Sequence, residues 1–221
     1  MPRSNSSATR ADYRLLLHDN ARSPEAEAYK SLRTNIEFAK VDEAIRTVVI
    51  TSAVKGEGKS TTAANLAVAY AKANKKVLLL DADLRAPSQH EIFRLDNRAG
   101  LSTLLSRQQS AEEATVPSGI PFLDVIPSGP VPAGPSEMLA SRRMAALLEE
   151  WSDAYEMVIV DTPAVLDAAD PSILSARCDG VLLVVDYGKV KKEAALKAKA
   201  ALDLVQARFL GTVINNVRRM A

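Results

Sequence analysis

The sequence predicts an α/β fold, with a mainly parallel central sheet flanked by helices. Three observations lead there. From Thr47 onward, short runs rich in β-branched residues alternate with helical segments, the order that crossover units require. Several of these runs are apolar on both faces, as a strand buried inside a parallel sheet must be. The 221 residues, 47% hydrophobic and 25% charged, suit one domain with a single sizeable core.

Residues 1–22 are polar and carry no sustained period, so they are expected to form a flexible N-terminal arm, with the domain spanning 23–221. Ser23-Pro24-Glu25 opens a helix: Ser23 caps it, Pro24 takes the first helical position, and Tyr29, Leu32 and Ile36 form its apolar stripe to about Ala39. The predicted strands are TVVITS (47–52), KVLLLD (76–81), FLDVI (122–126), EMVIVD (156–161), GVLLVVD (180–186) and LGTVINN (210–216). Helices are expected near 59–74, 142–155 and 191–208, where Met144, Leu147, Leu148 and Trp151, and then Ala198, Leu202, Val205 and Phe209, recur at helical spacing. Between strands, IPSGPVPAGPSEML reads as a crossing loop in which Pro135-Ser136-Glu137 starts a short helix.

Composition excludes several classes. With 28 Lys and Arg against 27 Asp and Glu, the chain lacks the basic excess of a nucleic-acid binder, and none is expected as a partner. Its single cysteine, Cys178, has no second thiol for a disulfide or a Cys-x-x-Cys metal site and reads as a small buried residue before a strand. No run approaches the ~20 apolar residues that span a bilayer, and the N-terminus lacks a signal-peptide core, so a cytoplasmic location is expected.

The chemistry begins after the first strand. Ala53-Val54-Lys55-Gly56-Glu57-Gly58-Lys59-Ser60 fits G-x-x-x-x-G-K-[ST] with Ala in the first place, in the context strand, loop, helix of a P-loop NTPase fold. The glycines let successive N–H groups of Gly56, Glu57 and Gly58 face one point, and the following helix adds the positive end of its dipole. A polyphosphate fits there, which implies ATP with Mg²⁺. Lys59 would neutralise the β and γ phosphates, Ser60 would ligate Mg²⁺, and Thr61 would support the α phosphate.

Two further strands end in acids. In Asp81-Ala82-Asp83-Leu84-Arg85 the strand period puts Asp81, Asp83 and Arg85 on one face, and a parallel sheet brings that end beside the phosphate loop. Arg85 joins the nucleotide-binding set, while Asp81 and Asp83 divide labour: one shapes the magnesium shell and the other orients or deprotonates an attacking hydroxyl, in either assignment. Asp161-Thr162-Pro163 closes the fourth strand with an Asp placed to hold Mg²⁺ alongside Ser60 and Asp83. At the last strand's carboxyl end stand Asn215, Asn216 and Arg218, either adenine readers or plain turn formers.

The set AVKGEGKST, LLLDADLR and VIVDTP, with EAYKSLRTNI upstream and GLSTLL and PSGPVPAGPSEML between, resembles the bacterial tyrosine kinases of exopolysaccharide and capsule synthesis over roughly residues 23–218. The resemblance implies a protein-tyrosine kinase that phosphorylates itself or other proteins, a ring-shaped homo-oligomer, and activation by the cytoplasmic segment of a transmembrane polysaccharide co-polymerase that recruits it to the membrane. Such kinases carry Glu-x-x-Arg-x-x-Arg at the subunit interface; here it reads Glu27, Lys30 and Arg33, and lysine loses the planar fork of arginine. They also carry a tyrosine-rich C-terminal tail, whereas the last residues here are Arg218-Arg219-Met220-Ala221. Of Tyr13, Tyr29, Tyr70, Tyr155 and Tyr187, Tyr13 in the arm is the nominated acceptor. Two other readings share the loop and the acidic strand ends. One is a partitioning or septum-positioning ATPase that switches by dimerising, although its extra lysine, five residues before the loop lysine, is Val54 here. The other is a non-catalytic nucleotide-sensing subunit of a polysaccharide-export complex.

Overall fold

Val77 and Leu79 on one face and Leu78 and Leu80 on the other leave no polar side for water, so this strand can only be internal. The computed structural model, which describes residues 15–20, 22–39 and 44–217, bears that out. Its seven strands are β1 (Thr47–Ser52), β2 (Val77–Asp81), β3 (Val116–Pro117), β4 (Leu123–Ile126), β5 (Met157–Asp161), β6 (Gly180–Asp186) and β7 (Phe209–Asn215), in the order β3-β4-β2-β5-β1-β6-β7. Every neighbouring pair is parallel except β3 with β4.

One face of the sheet carries α1 (Leu16–Asp19), α2 (Pro24–Glu37), α3 (Lys59–Ala71) and α4 (Gln89–Phe93), whose core includes Leu17, Ile36, Leu66 and Phe93. The other carries α5 (Leu101–Leu105), α6 (Ala111–Ala114), α7 (Pro135–Ala140), α8 (Arg142–Ala154), α9 (Asp170–Ser175) and α10 (Lys192–Leu204). The expected caps hold: Ser23 Oγ accepts the Ala26 N–H at 3.1 Å, and Ser141 Oγ accepts that of Met144 at 3.2 Å. The predicted stripe of α8, from Met144 to Trp151, is wholly buried.

Three expectations change. Within the expected flexible arm, residues 1–14 and 21 lie outside the described residues, but Leu15 and Leu17 pack on the domain, Leu17 buried, and Asn65 Oδ1 accepts the Leu16 N–H at 2.7 Å. A four-residue helix is too short to display a period. β3 went unread because it has two residues, one a proline, which only an edge strand tolerates. The helix expected to reach 208 ends at Leu204, and Phe209 opens β7 instead.

This order positions the site. The chain runs from β1 first to one side, through β2 and β4, and later to the other, through β6 and β7. Strand order therefore reverses around β1 and β5, and the crevice above their carboxyl ends is where an open α/β sheet receives its ligand.

Candidate active site

The phosphate loop joins β1 to α3 without a gap. Gly58, at the helix cap with φ 87°, and Gly56, with φ 89°, supply the left-handed backbone that turns the loop. Glu57 braces the loop rather than facing a ligand: Oε2 accepts the Val54 N–H at 2.7 Å and Oε1 that of Asp186 at 3.2 Å. Its carbonyl accepts from Asn215 Nδ2 at 2.9 Å, so β7 closes on the loop from the far side. Thr61 lines a cleft of about 970 Å³ between the loop, α2 and β7, together with Tyr29, Gly56, Gly58 and Asn215.

Lys59 is the cation of the site. Its Nζ donates to Asp83 Oδ2 at 2.8 Å and to Ser60 Oγ at 3.1 Å, and stands 3.9 Å from Asp161 Oδ1. Burial works against its charge, but Asp161, Asp83 and Asp81 together hold its pKa above the usual lysine value. The ammonium stays charged.

The three aspartates separate by their bonds. Asp81, fully buried, spends its carboxylate on the backbone: Oδ1 accepts the Asp83 N–H at 3.3 Å, and Oδ2 accepts those of Ser88 and Gln89 at 3.1 and 2.9 Å. It braces the 83–89 turn. Asp83 meets Lys59 through Oδ2, while Oδ1 accepts the Ala86 N–H at 3.0 Å. Asp161 is fully buried; its Oδ2 accepts from Gln89 Nε2 at 2.8 Å, and its Oδ1 has no hydrogen-bond partner. Burial pushes the Asp161 carboxyl above the usual range, although Lys59 opposes this.

Arg85 is held by a salt bridge. Its Nε donates to Asp170 Oδ2 at 2.8 Å, and its outer nitrogen to Asp170 Oδ1 at 3.2 Å and Ser136 Oγ at 2.9 Å. The guanidinium ties the β2 end to α7 and α9, because Asp170 is a fully buried carboxylate in need of a counterion. Asn215 is likewise bonded to the loop, through the Glu57 carbonyl, and Asn216 Nδ2 donates to Asp186 Oδ1 at 2.8 Å. Arg218 and Tyr13 lie outside the described residues. Among the described tyrosines, Tyr187 alone is exposed, at 63%.

A magnesium ion fits this donor set. Asp161 Oδ1, with no hydrogen-bond partner and Lys59 Nζ 3.9 Å away, is a buried acceptor beside a serine hydroxyl, and among the described residues no group of three or more His, Cys, Asp or Glu is arranged to cage an ion. An ion held largely by phosphate oxygens and water needs no such cage.

Residues 45–210 match the family model of an AAA domain, which carries nucleotide binding with it. The tyrosine-protein kinase YwqD of Bacillus subtilis is 50% identical over 88% of this chain and 82% of its own length. The chain belongs to the bacterial protein-tyrosine kinases. The solved kinase domain of the Escherichia coli tyrosine kinase ETK superposes with a TM-score of 0.91 at 32% identity, over 99% of this chain and 86% of that one. The chimeric protein CapA2B2 gives 0.90 at 40% identity, over 93% and 90%. Membership in these kinases decides against the ATPase switch and the sensing subunit. Among the described residues, no helix of this kinase is long and apolar enough to cross a membrane.

Several contributors escaped the sequence. Gln89 and Asp170 carry no motif, and Glu57 was legible only as a backbone donor. The one available signal was chemical: buried carboxylates such as Asp81 and Asp161 need donors, and polar side chains just after a strand end are the nearest source.

Proposed function

We propose that this kinase transfers the terminal phosphate of Mg-ATP to tyrosine hydroxyls of proteins that control exopolysaccharide or capsule synthesis. The observation that carries this reading is the 2.8 Å contact of Lys59 Nζ with Asp83 Oδ2 at the start of α3. It sets an ammonium for the phosphates against a carboxylate for the acceptor.

Each residue then has a task. The backbone N–H groups of Gly56, Glu57 and Gly58 cradle the phosphates, Thr61 supports the α phosphate, and Lys59 moves onto the β and γ phosphates. Ser60 and Asp161 would hold magnesium with Asp83 nearby, and the ion would supply positive charge to the phosphoryl oxygens. Asp83, released from Lys59, accepts the proton of a phenol whose ordinary pKa is about 10. Asn215 stands at the cleft wall where the adenine would lie.

Assembly belongs to the same proposal. Glu27 and Lys30 form an exposed ion pair at 2.7 Å on α2, with Arg33 one turn on, and this row suits the contact between copies in a ring. A transmembrane polysaccharide co-polymerase, through its cytoplasmic segment, would recruit and activate the ring at the membrane.

The test is incubation with Mg-ATP, alone and with the partner's cytoplasmic segment, followed by detection of phosphotyrosine on the kinase and on added substrates. Phosphotyrosine that disappears in a Lys59→Met chain supports the proposal. ATP hydrolysis without phosphotyrosine overturns it.

A further inference from the structure

Gln89 touches all three segments of the site. Its backbone N–H donates to Asp81 Oδ2 at 2.9 Å, and its side-chain Nε2 donates to Asp161 Oδ2 at 2.8 Å and to the Ser60 carbonyl at 3.1 Å. The Ser60 carbonyl is a pure acceptor, so the amide can face it only through its nitrogen. The opposite orientation would set Oε1 against a carboxylate and a carbonyl. Its oxygen is therefore left over. Gln89 is fully buried and Oε1 has no hydrogen-bond partner, and the same holds for Asp161 Oδ1.

These two orphan acceptors sit on either side of one hydrogen bond. The amide carbon joins Oε1 to the donating nitrogen, and the carboxyl carbon joins Oδ1 to the accepting oxygen. Buried acceptors are costly to leave unpaired, so two of them at the ends of one hydrogen bond call for a donor that arrives with a ligand. A water of a hydrated magnesium ion has two protons to give.

We propose that Gln89 is a positioning residue for the metal: its amide nitrogen fixes Asp161 against the phosphate loop, and its Oε1 would accept from the water shell of the bound ion. This rests on the nucleotide reading of the loop and adds what selects the metal. Groups just beyond a metal's ligands typically change its affinity by about 10- to 100-fold. Gln89 has that standing.

The experiment titrates Mg²⁺ into the parent and Gln89→Met chains while ADP binding is followed by calorimetry, with a parallel measurement of ADP alone in chelator. For Gln89→Met, the Mg²⁺ concentration that half-saturates the ADP complex should rise about tenfold, with metal-free ADP affinity unchanged within about twofold. Gln89→Asn, which keeps the amide but withdraws it by one methylene, should show the same metal shift and replaces the Met variant if that chain does not fold. A Mg²⁺ titration matching the parent's, or an equal loss of ADP affinity with and without metal, overturns the role of Gln89. A parent chain that binds no ADP at all would overturn the nucleotide reading instead.

Discussion

Asp81 and Asp161 are register partners at the carboxyl ends of β2 and β5, two fully buried carboxylates side by side on adjacent strands. Like charges placed so destabilise a sheet, and Lys59 is the cation that offsets them.

That pairing makes stability fall as pH rises. Burial first, and then Asp161 and Asp83, raise the Asp81 carboxyl above its usual range, and burial raises Asp161. In the unfolded chain both ionise near pH 4, so above that pH the unfolded state has shed protons that the folded state keeps. The contribution is fully present below about pH 4 and is lost as pH climbs through the raised folded values. Urea midpoints at pH 5 and pH 8, without metal or nucleotide, should show this drop, and Asp81→Asn should show a smaller one. Equal drops would assign the pH dependence elsewhere.

Lys59→Met removes the cation shared by three carboxylates. Phosphotyrosine formation should decrease more than about a hundredfold, the scale of losing a charged group that stabilises a transition state. Far-UV dichroism should stay that of the parent, because β1 and α3 are held by the core residues Ile50, Ala63 and Leu66. Retained activity in a folded variant would remove Lys59 from the chemistry.

The two loop glycines should differ in degree. A Cβ at Gly56 meets nothing within 4 Å, so Gly56→Ala bears only the backbone strain of φ 89°, about 1 to 2 kcal/mol. At Gly58 the same strain is joined by a clash, 2.4 Å from Asn215 Nδ2, that pushes Asn215 off the Glu57 carbonyl. Isothermal titration with Mg-ADP should show the larger affinity loss for Gly58→Ala. The reverse order would mean that Asn215 does not brace the loop.

Arg85→Ala separates a structural arginine from a nucleotide-binding one. It leaves Asp170 with Ser136 as its remaining side-chain donor, at 2.5 Å, and should cost about 1 to 2 kcal/mol of stability, at the low end because the arginine is itself 43% exposed. ADP affinity should change less than about threefold, under 1 kcal/mol. A tenfold weakening would return Arg85 to the nucleotide.

Much of this was legible because it rests on repetition. Six strands announced themselves through short β-branched and apolar runs, and the phosphate loop through glycine spacing. The short helices α4, α5, α6 and α9 did not, since four to six residues hold less than two turns of periodicity. The acidic strand ends were found but not sorted. Asp81 and Asp83 are equivalent by spacing, and only the backbone N–H groups of Ser88 and Gln89, folded back onto Asp81, make that one a brace, while Asp83 faces Lys59. The anchor of Arg85 was hidden for a related reason: its partner Asp170 is 85 positions away, and nothing local records that pairing.

The strap from Asn215 to Glu57 has a consequence for synthesis. A ribosome completes the phosphate loop early, but its brace resides in the last described strand, more than 150 residues later. A nascent chain still lacking β7 has the glycines, the lysine and both acidic strand ends, yet nothing holding the loop from that side. ATP should therefore meet a finished pocket only after translation has passed Asn215, so the catalytic centre is withheld from fragments.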